Sequence, residues 1–324
     1  MDEKHHLEHK SANTDHKVKD MATKRDWQGN TKGHHGGGPK LAPRPKQNIV
    51  KNAYTPMFER LRDELDQHHD RRDRLGKASR DVTALSKKII FSLQRVRKIE
   101  KDLPQAIQTE VDSRLSEIAK LLAVIAPEIQ GINRYRYERS LSCLEELIEA
   151  LTFCHYIKTQ TLASLEQMRL AVEELARKGA VPEDEVMTGV EETAPQPEKT
   201  AEKEAPTVSI TEDDYLYGVF DLTGEMMRFA TTTAALSGGM ASAADGDGDE
   251  PRTIVQDIQE IGSFIEMLPL RSGHRTTWEK KVEVMRQSIE KVEKLGYGWK
   301  VRGSERPAGW VPDLSPGDQG DLEE

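Results

Sequence analysis

The sequence predicts an all-α fold, and three observations carry that expectation. Apolar residues recur three and four positions apart in six separate segments. No segment alternates apolar and polar residues as a half-buried strand would. The composition is 36% hydrophobic, 32% charged and 5% aromatic, with a mean hydropathy of −0.70. That is polar for a compact globule and suits long amphipathic helices joined to disordered tails.

In chain order, residues 1–50 form a low-complexity arm rich in His, Lys and Gly, with too few apolar residues to fold. Thr55 and Pro56 read as an N-cap and first helical position. A helix follows from there to about Ile99, with Phe58, Leu61, Leu65, Leu75, Val82, Ile89, Leu93 and Val96 on its stripe. It would be about 65 Å long and weakened at Gly76. Leu103 and Pro104 open a second helix, whose core face is Ile107, Val111, Leu115, Ile118, Leu122 and Ile125 and which ends near Pro127. Residues 134–139, RYRYER, alternate cations and aromatics. They read equally as phosphate contact with base stacking or as a helix start packed by tyrosines. The next helix starts at Leu141 and runs to about Arg177. Residues 180–207 are rich in Glu, Pro, Thr and Ala and read as an acidic disordered linker. A helix at 212–236 precedes a Gly, Ala and Asp loop at 237–250. Asp245, Asp247 and Asp249 imitate the start of a calcium loop there, but Glu250 and Gln256 stand where Gly and Glu are required. Helices at 252–268 and 274–295 stop at Pro269 and Gly296, and the tail 309–324 is acidic.

The net charge of −9 argues against nucleic acid only when it is averaged over the chain. Between Arg71 and Lys101 there are eleven Lys or Arg, opposed by Asp73, Asp81 and Glu100 alone. A solvated face laced with i, i+4 salt bridges would need more acids than that segment supplies. RNA phosphates are the better partner for Arg71, Arg72, Arg74, Lys77, Arg80, Lys87, Lys88 and Arg95, joined by Arg134 and Arg136. The two cysteines, Cys143 and Cys154, are eleven apart on one helix, about 16 Å, too far to bridge. That usage fits a reduced intracellular compartment. No apolar run approaches 18 residues, so no membrane span is expected.

Two helices carry acids on apolar ground. In Leu141–Ile157, LSCLEELIEALTFCHYI, nearly every side of the helix is apolar, which marks a buried helix. Yet Glu146 and Glu149 lie on neighbouring ground at i, i+3. A buried carboxylate needs either a paired Lys or Arg from another helix or a metal. In Tyr215–Phe229, YLYGVFDLTGEMMRF, Asp221 and Glu225 share one face with Gly218, which would let another backbone or a ligand approach closely. If the two helices face each other, four carboxylates repel, and a divalent cation removes the conflict. Hard oxygen ligands without Cys or an obligatory His suit Mg²⁺ or Mn²⁺.

These two segments resemble the signature segments of the translin-associated factor X branch of the translin family. Glu64–Arg95 is similar to that family's long first helix, and Lys300–Pro307, KVRGSERP, to its motif after the last helix. The similarity spans about residues 52–308, so 51–308 is expected to be a translin-like bundle of about seven helices. The resemblance implies the catalytic subunit of a Mg²⁺-dependent endoribonuclease, assembled with translin into a hetero-oligomer. Its substrate is single-stranded RNA, cleaved in passenger-strand removal or transfer-RNA processing, and its location is cytoplasmic and nuclear. It puts the catalytic and metal-binding role on Glu146, Glu149, Asp221 and Glu225, all acidic here. The rival reading is a non-catalytic scaffold that binds translin and RNA. A di-iron carboxylate bundle needs Glu-x-x-His pairs, and position 152, three before His155, is Thr.

Overall fold

The computed structural model describes residues 52–180, 206–237, 239–242, 252–269 and 275–302. The arm, nearly all of the acidic linker, most of the 237–250 loop and the tail lie outside them. Among the described residues there are eight α-helices and no strand. They are α1 (Thr55–Leu93), α2 (Gln105–Ile125), the short α3 (Asn133–Arg136), α4 (Cys143–Thr159), α5 (Leu165–Ala180), α6 (Glu212–Ser237), α7 (Ile254–Glu266) and α8 (Arg275–Arg302). None is long and apolar enough to cross a membrane.

The middle of the bundle is α4. Leu144, Leu147, Ile148, Phe153 and Ile157 are fully buried, each contributing about 1.5–3 kcal/mol relative to exposure. Its main neighbour is α6, which carries α8 on another side, while α7 packs on α8 and α2 on α5. Gly218 sets the α4–α6 approach. A Cβ there would stand 2.6 Å from Ile148 Cγ2 and 2.9 Å from the Glu145 carbonyl oxygen, so only glycine lets the backbones meet at that turn. Phe153 on α4 meets Phe229 on α6 edge-on, and Phe220 on α6 meets Trp278 on α8 in the same way at 5.0 Å. These ring contacts fix the rotation of α6 between its two neighbours.

Several boundaries differ from the sequence reading. The first helix is capped by Asn52, whose Oδ1 accepts the Thr55 N–H, rather than by Thr55. It passes Gly76 unbroken and ends at Leu93, not Ile99. Beyond it Val96, Ile99 and Leu103 enter the core from an irregular segment, and the Glu100 N–H donates to the Ile157 carbonyl at the end of α4. The helix expected to run to Arg177 is two helices. Gln160 adopts a left-handed conformation, φ 51°, and ends α4. Its side chain donates to the Arg252 carbonyl and to Asp257, which holds that conformation without glycine. Ser164 and Gln167 then exchange side-chain and backbone hydrogen bonds, a capping box that starts α5. Gly296 does not end α8. A Cβ there would come within 3.0 Å of Val255 on α7, so the glycine serves close packing inside a helix that continues to Arg302.

Candidate functional site

The four acids named by the sequence lie on the facing helices α4 and α6; α1 and α8 add lysines, and Gln94, just past the end of α1, adds an amide. On α4, Glu149 is 8% exposed and its carboxylate has no hydrogen bond or ion pair among the described residues. Burial pushes it up to about 8, and repulsion from Asp221, Glu146 and Glu225 adds to the rise against the opposing pull of Lys281. Glu146, one turn earlier, is raised by burial and relieved by Lys87 of α1, whose ammonium lies 3.5 Å away. Asp221 contributes to the rise at Glu146 as well. On α6, Glu225 is 7% exposed, accepts a 2.7 Å hydrogen bond from the Gln94 amide and lies 3.6 Å from Arg228. Lys281 of α8 donates to both oxygens of Asp221 at 2.7 Å.

Glu149 therefore feels the other three acids, and Glu146 feels Asp221. Two of them are nevertheless answered by lysines from other helices, Glu146 by Lys87 and Asp221 by Lys281. Both answers open to a buried acid, an ion pair and a metal, thus bear on this cluster. With the side chains so placed, no three His, Cys, Asp or Glu groups among the described residues are arranged to hold a metal ion. The donor chemistry fits a hard cation, but Lys281 and Lys87 stand where such an ion would compete.

Sequence reasoning missed three members of this cluster. Gln94 reaches Glu225 because α1 ends at Leu93. Lys281 reaches Asp221 because Trp278, one turn earlier on α8, is seated against Phe220. Glu145 is pushed up to about 7 by burial and by Asp214, Asp221 and Glu146, against Lys281, and it has no hydrogen-bond or ion-pair partner among the described residues. Its signal was adjacency to Glu146 on a helix already read as buried.

The ten cations assigned to RNA divide by position. Arg134 is 5% exposed; it pairs with Asp214 and donates to the Ser209 carbonyl, so it is a core residue and not a phosphate contact. Arg71 and Arg74 share Glu128, Arg95 holds Glu110, and Lys87 faces Glu146. The acids that the basic segment lacks are supplied by the chain after it. Arg72, Lys77, Arg80 and Lys88 are exposed on α1 with no carboxylate partner among the described residues. Phe91 is exposed one turn beyond Lys88. The RYRYER segment splits: Tyr135 and Arg136 face outward, with Arg136 against His68, whereas Tyr137 is buried.

The Translin family profile matches residues 70–303. The chain belongs to the translin family. It is 33% identical to translin-associated protein X of Mus musculus over 260 residues, 79% of this chain and 82% of that protein. It is 29% identical to the Pongo abelii protein of the same name, covering 91% of this chain and 95% of the relative. A Schizosaccharomyces pombe homolog of translin-associated protein X is 25% identical over 75% of this chain and 86% of its own length. A solved structure, apo-NeC3PO, superposes with a TM-score of 0.45 at 16% identity, covering 74% of this chain and 96% of that one. The family match contains all four acids and every cation placed above.

Proposed function

We propose that this translin-family chain is the catalytic subunit of a Mg²⁺-dependent endoribonuclease that works with a translin partner on single-stranded RNA. Passenger-strand removal or transfer-RNA processing, in the cytoplasm and nucleus, is the setting we assign to it. The observation that carries the proposal is Glu149, a nine-tenths buried carboxylate without a partner, among three other acids. A group in that position is costly unless something cationic compensates it. Glu146, Glu149, Asp221 and Glu225 would hold Mg²⁺, or Mn²⁺ in its place. Once bound, such an ion lowers the pKa of a coordinated water and stabilises phosphoryl oxygens.

The chain's own residues do the rest. Gln94 orients the Glu225 carboxylate through its amide. Arg72, Lys77, Arg80 and Lys88 give RNA phosphates a cationic track along α1, and Lys88 adjoins Lys87, which reaches Glu146. The backbone of the RNA is thereby led toward the acids. Replacing Glu149 or Asp221 by Ala should abolish cleavage of single-stranded RNA by the complex with translin while leaving the complex assembled. RNA turnover unchanged in either variant would reject the assignment.

The scaffold reading is favoured by a different observation, the ion pairs that already satisfy Glu146 and Asp221. EDTA separates the two: a scaffold binds RNA equally with and without it and shows no cleavage in either case, whereas the nuclease loses turnover on chelation.

A further inference from the structure

Lys281 is held more firmly than a surface lysine needs to be. Its side chain is mostly buried, and its ammonium donates to both Asp221 oxygens at 2.7 Å. It also lies 3.4 Å from the Tyr217 carbonyl and 5.4 Å from the centre of the Tyr217 ring. Tyr217 and Asp221 are four apart on α6, so one face of that helix supplies every one of these contacts. The Trp278–Phe220 contact fixes α8 one turn earlier. The charge is thus seated at Asp221 by packing, not by a chance surface encounter.

We infer that Lys281 is the resident counter-cation of the acid cluster, so that a divalent ion gains Asp221 only by displacing it. The inference rests on the metal reading of the site given above. An ion bound through Asp221 would meet an ammonium on both carboxylate oxygens, and two cations at that distance repel. The lysine has somewhere to go. Glu145, in the field of Lys281 and without a partner among the described residues, is an unanswered acid on α4, and the Tyr217 carbonyl and ring remain in reach. Lys281 would therefore keep the metal-free cluster folded and set the threshold of metal concentration at which it loads.

The test is Mn²⁺ binding to the full chain, read from the electron paramagnetic resonance signal of free Mn²⁺, with no RNA present. Lys281→Met should bind Mn²⁺ about fivefold more tightly than the parent, the upper end of the scale for one ion pair. Lys280→Met, which removes the same charge from the exposed neighbouring position, should stay within about twofold of the parent. If Lys281→Met does not fold by circular dichroism, Lys281→Gln carries the same expectation, since it keeps a donor for Asp221 without the charge. Mn²⁺ binding by the parent with no gain in Lys281→Met or Lys281→Gln, or an equal gain in Lys280→Met, overturns the inference and leaves the metal reading standing. No Mn²⁺ binding by any of the chains at millimolar concentration overturns both.

Discussion

Replacing Glu149 by Gln removes a charge that the metal-free fold tolerates badly, and the size of the effect follows from its surroundings. Burial and three neighbouring acids push its carboxyl from 4.5 up to about 8. A group whose pKa is raised in the fold binds its proton more tightly there than in the unfolded chain. Stability is therefore fullest below about pH 4.5 and is lost as pH rises through the range up to about 8. At pH 7 that linkage costs the folded state about 3 kcal/mol, and the cost keeps growing until the pH passes 8. The glutamine variant escapes it, because its amide has the same shape and no titration. In EDTA at pH 7 the thermal midpoint of Glu149→Gln should exceed that of the parent by about 6–12 °C. The difference should shrink toward zero at pH 5. Taking the difference between two chains cancels the titrating groups remote from the site, while Glu146, Asp221, Glu225 and Lys281, which act on Glu149, enter the difference through that coupling. Thermal unfolding followed by circular dichroism at pH 5, 7 and 8.5 measures it. Equal midpoints for the two chains at all three pH values would refute the argument, because a buried carboxylate without a cation cannot be free of cost.

Gly218→Ala should destabilise the chain by about 1–3 kcal/mol, measured by urea denaturation, because the added methyl overlaps Ile148 and the Glu145 carbonyl. It should also cut RNA cleavage by the complex, since α4 and α6 can no longer bring their acids to the same separation. Changing Arg72, Lys77, Arg80 and Lys88 together to Ala should weaken single-stranded RNA binding and lower the salt slope of log K by about 3, at about 0.7 for each phosphate no longer neutralised; a fluorescence titration at several salt concentrations reads both. Arg134→Ala should leave that salt slope unchanged and instead cost about 3–5 kcal/mol of stability, because it strands Asp214 in the core.

The architecture was legible in the sequence wherever a long apolar stripe met a strong stop signal. Pro104 begins α2, and the apolar girth of α4 matches its burial. The place of Gly218 was legible for the same kind of reason, since a glycine on a helix face beside an acid has few purposes other than close approach. The break between α4 and α5 was not read, although Ser164 and Gln167 spell a capping box, because the stop at Gln160 depends on Arg252 and Asp257, some ninety residues away. Gly296 misled for the converse reason: its use is set by Val255 on another helix, and no local rule contains that. Part of the basic segment was hidden in the same way, since Arg71, Arg74, Lys87 and Arg95 are paired while Arg72, Lys77, Arg80 and Lys88 stay exposed. A basic segment poor in acids looks unpaired in one dimension, yet Glu110, Glu128 and Glu146 reach it from α2, the turn that follows α2, and α4.

The candidate site repeats that logic in sharper form. Residue types alone placed four acids on two helices and left two ways to compensate them, lysine or metal. The fold keeps both in play by dividing the acids. Glu146 and Asp221 receive ammonium groups from α1 and α8, where no local pattern marks Lys87 or Lys281 as aimed at an acid, while Glu149, pushed up by burial and by its acidic neighbours, receives nothing. A purely structural seam would be expected to answer its buried acids before its accessible ones, since that is where the desolvation cost is greatest, and Glu225, as deeply buried as Glu149, does receive Gln94 and Arg228. Leaving Glu149 unanswered while two more accessible acids are paired is the opposite order. That order makes sense if the remaining place in the cluster is reserved for a cation that is not part of the chain.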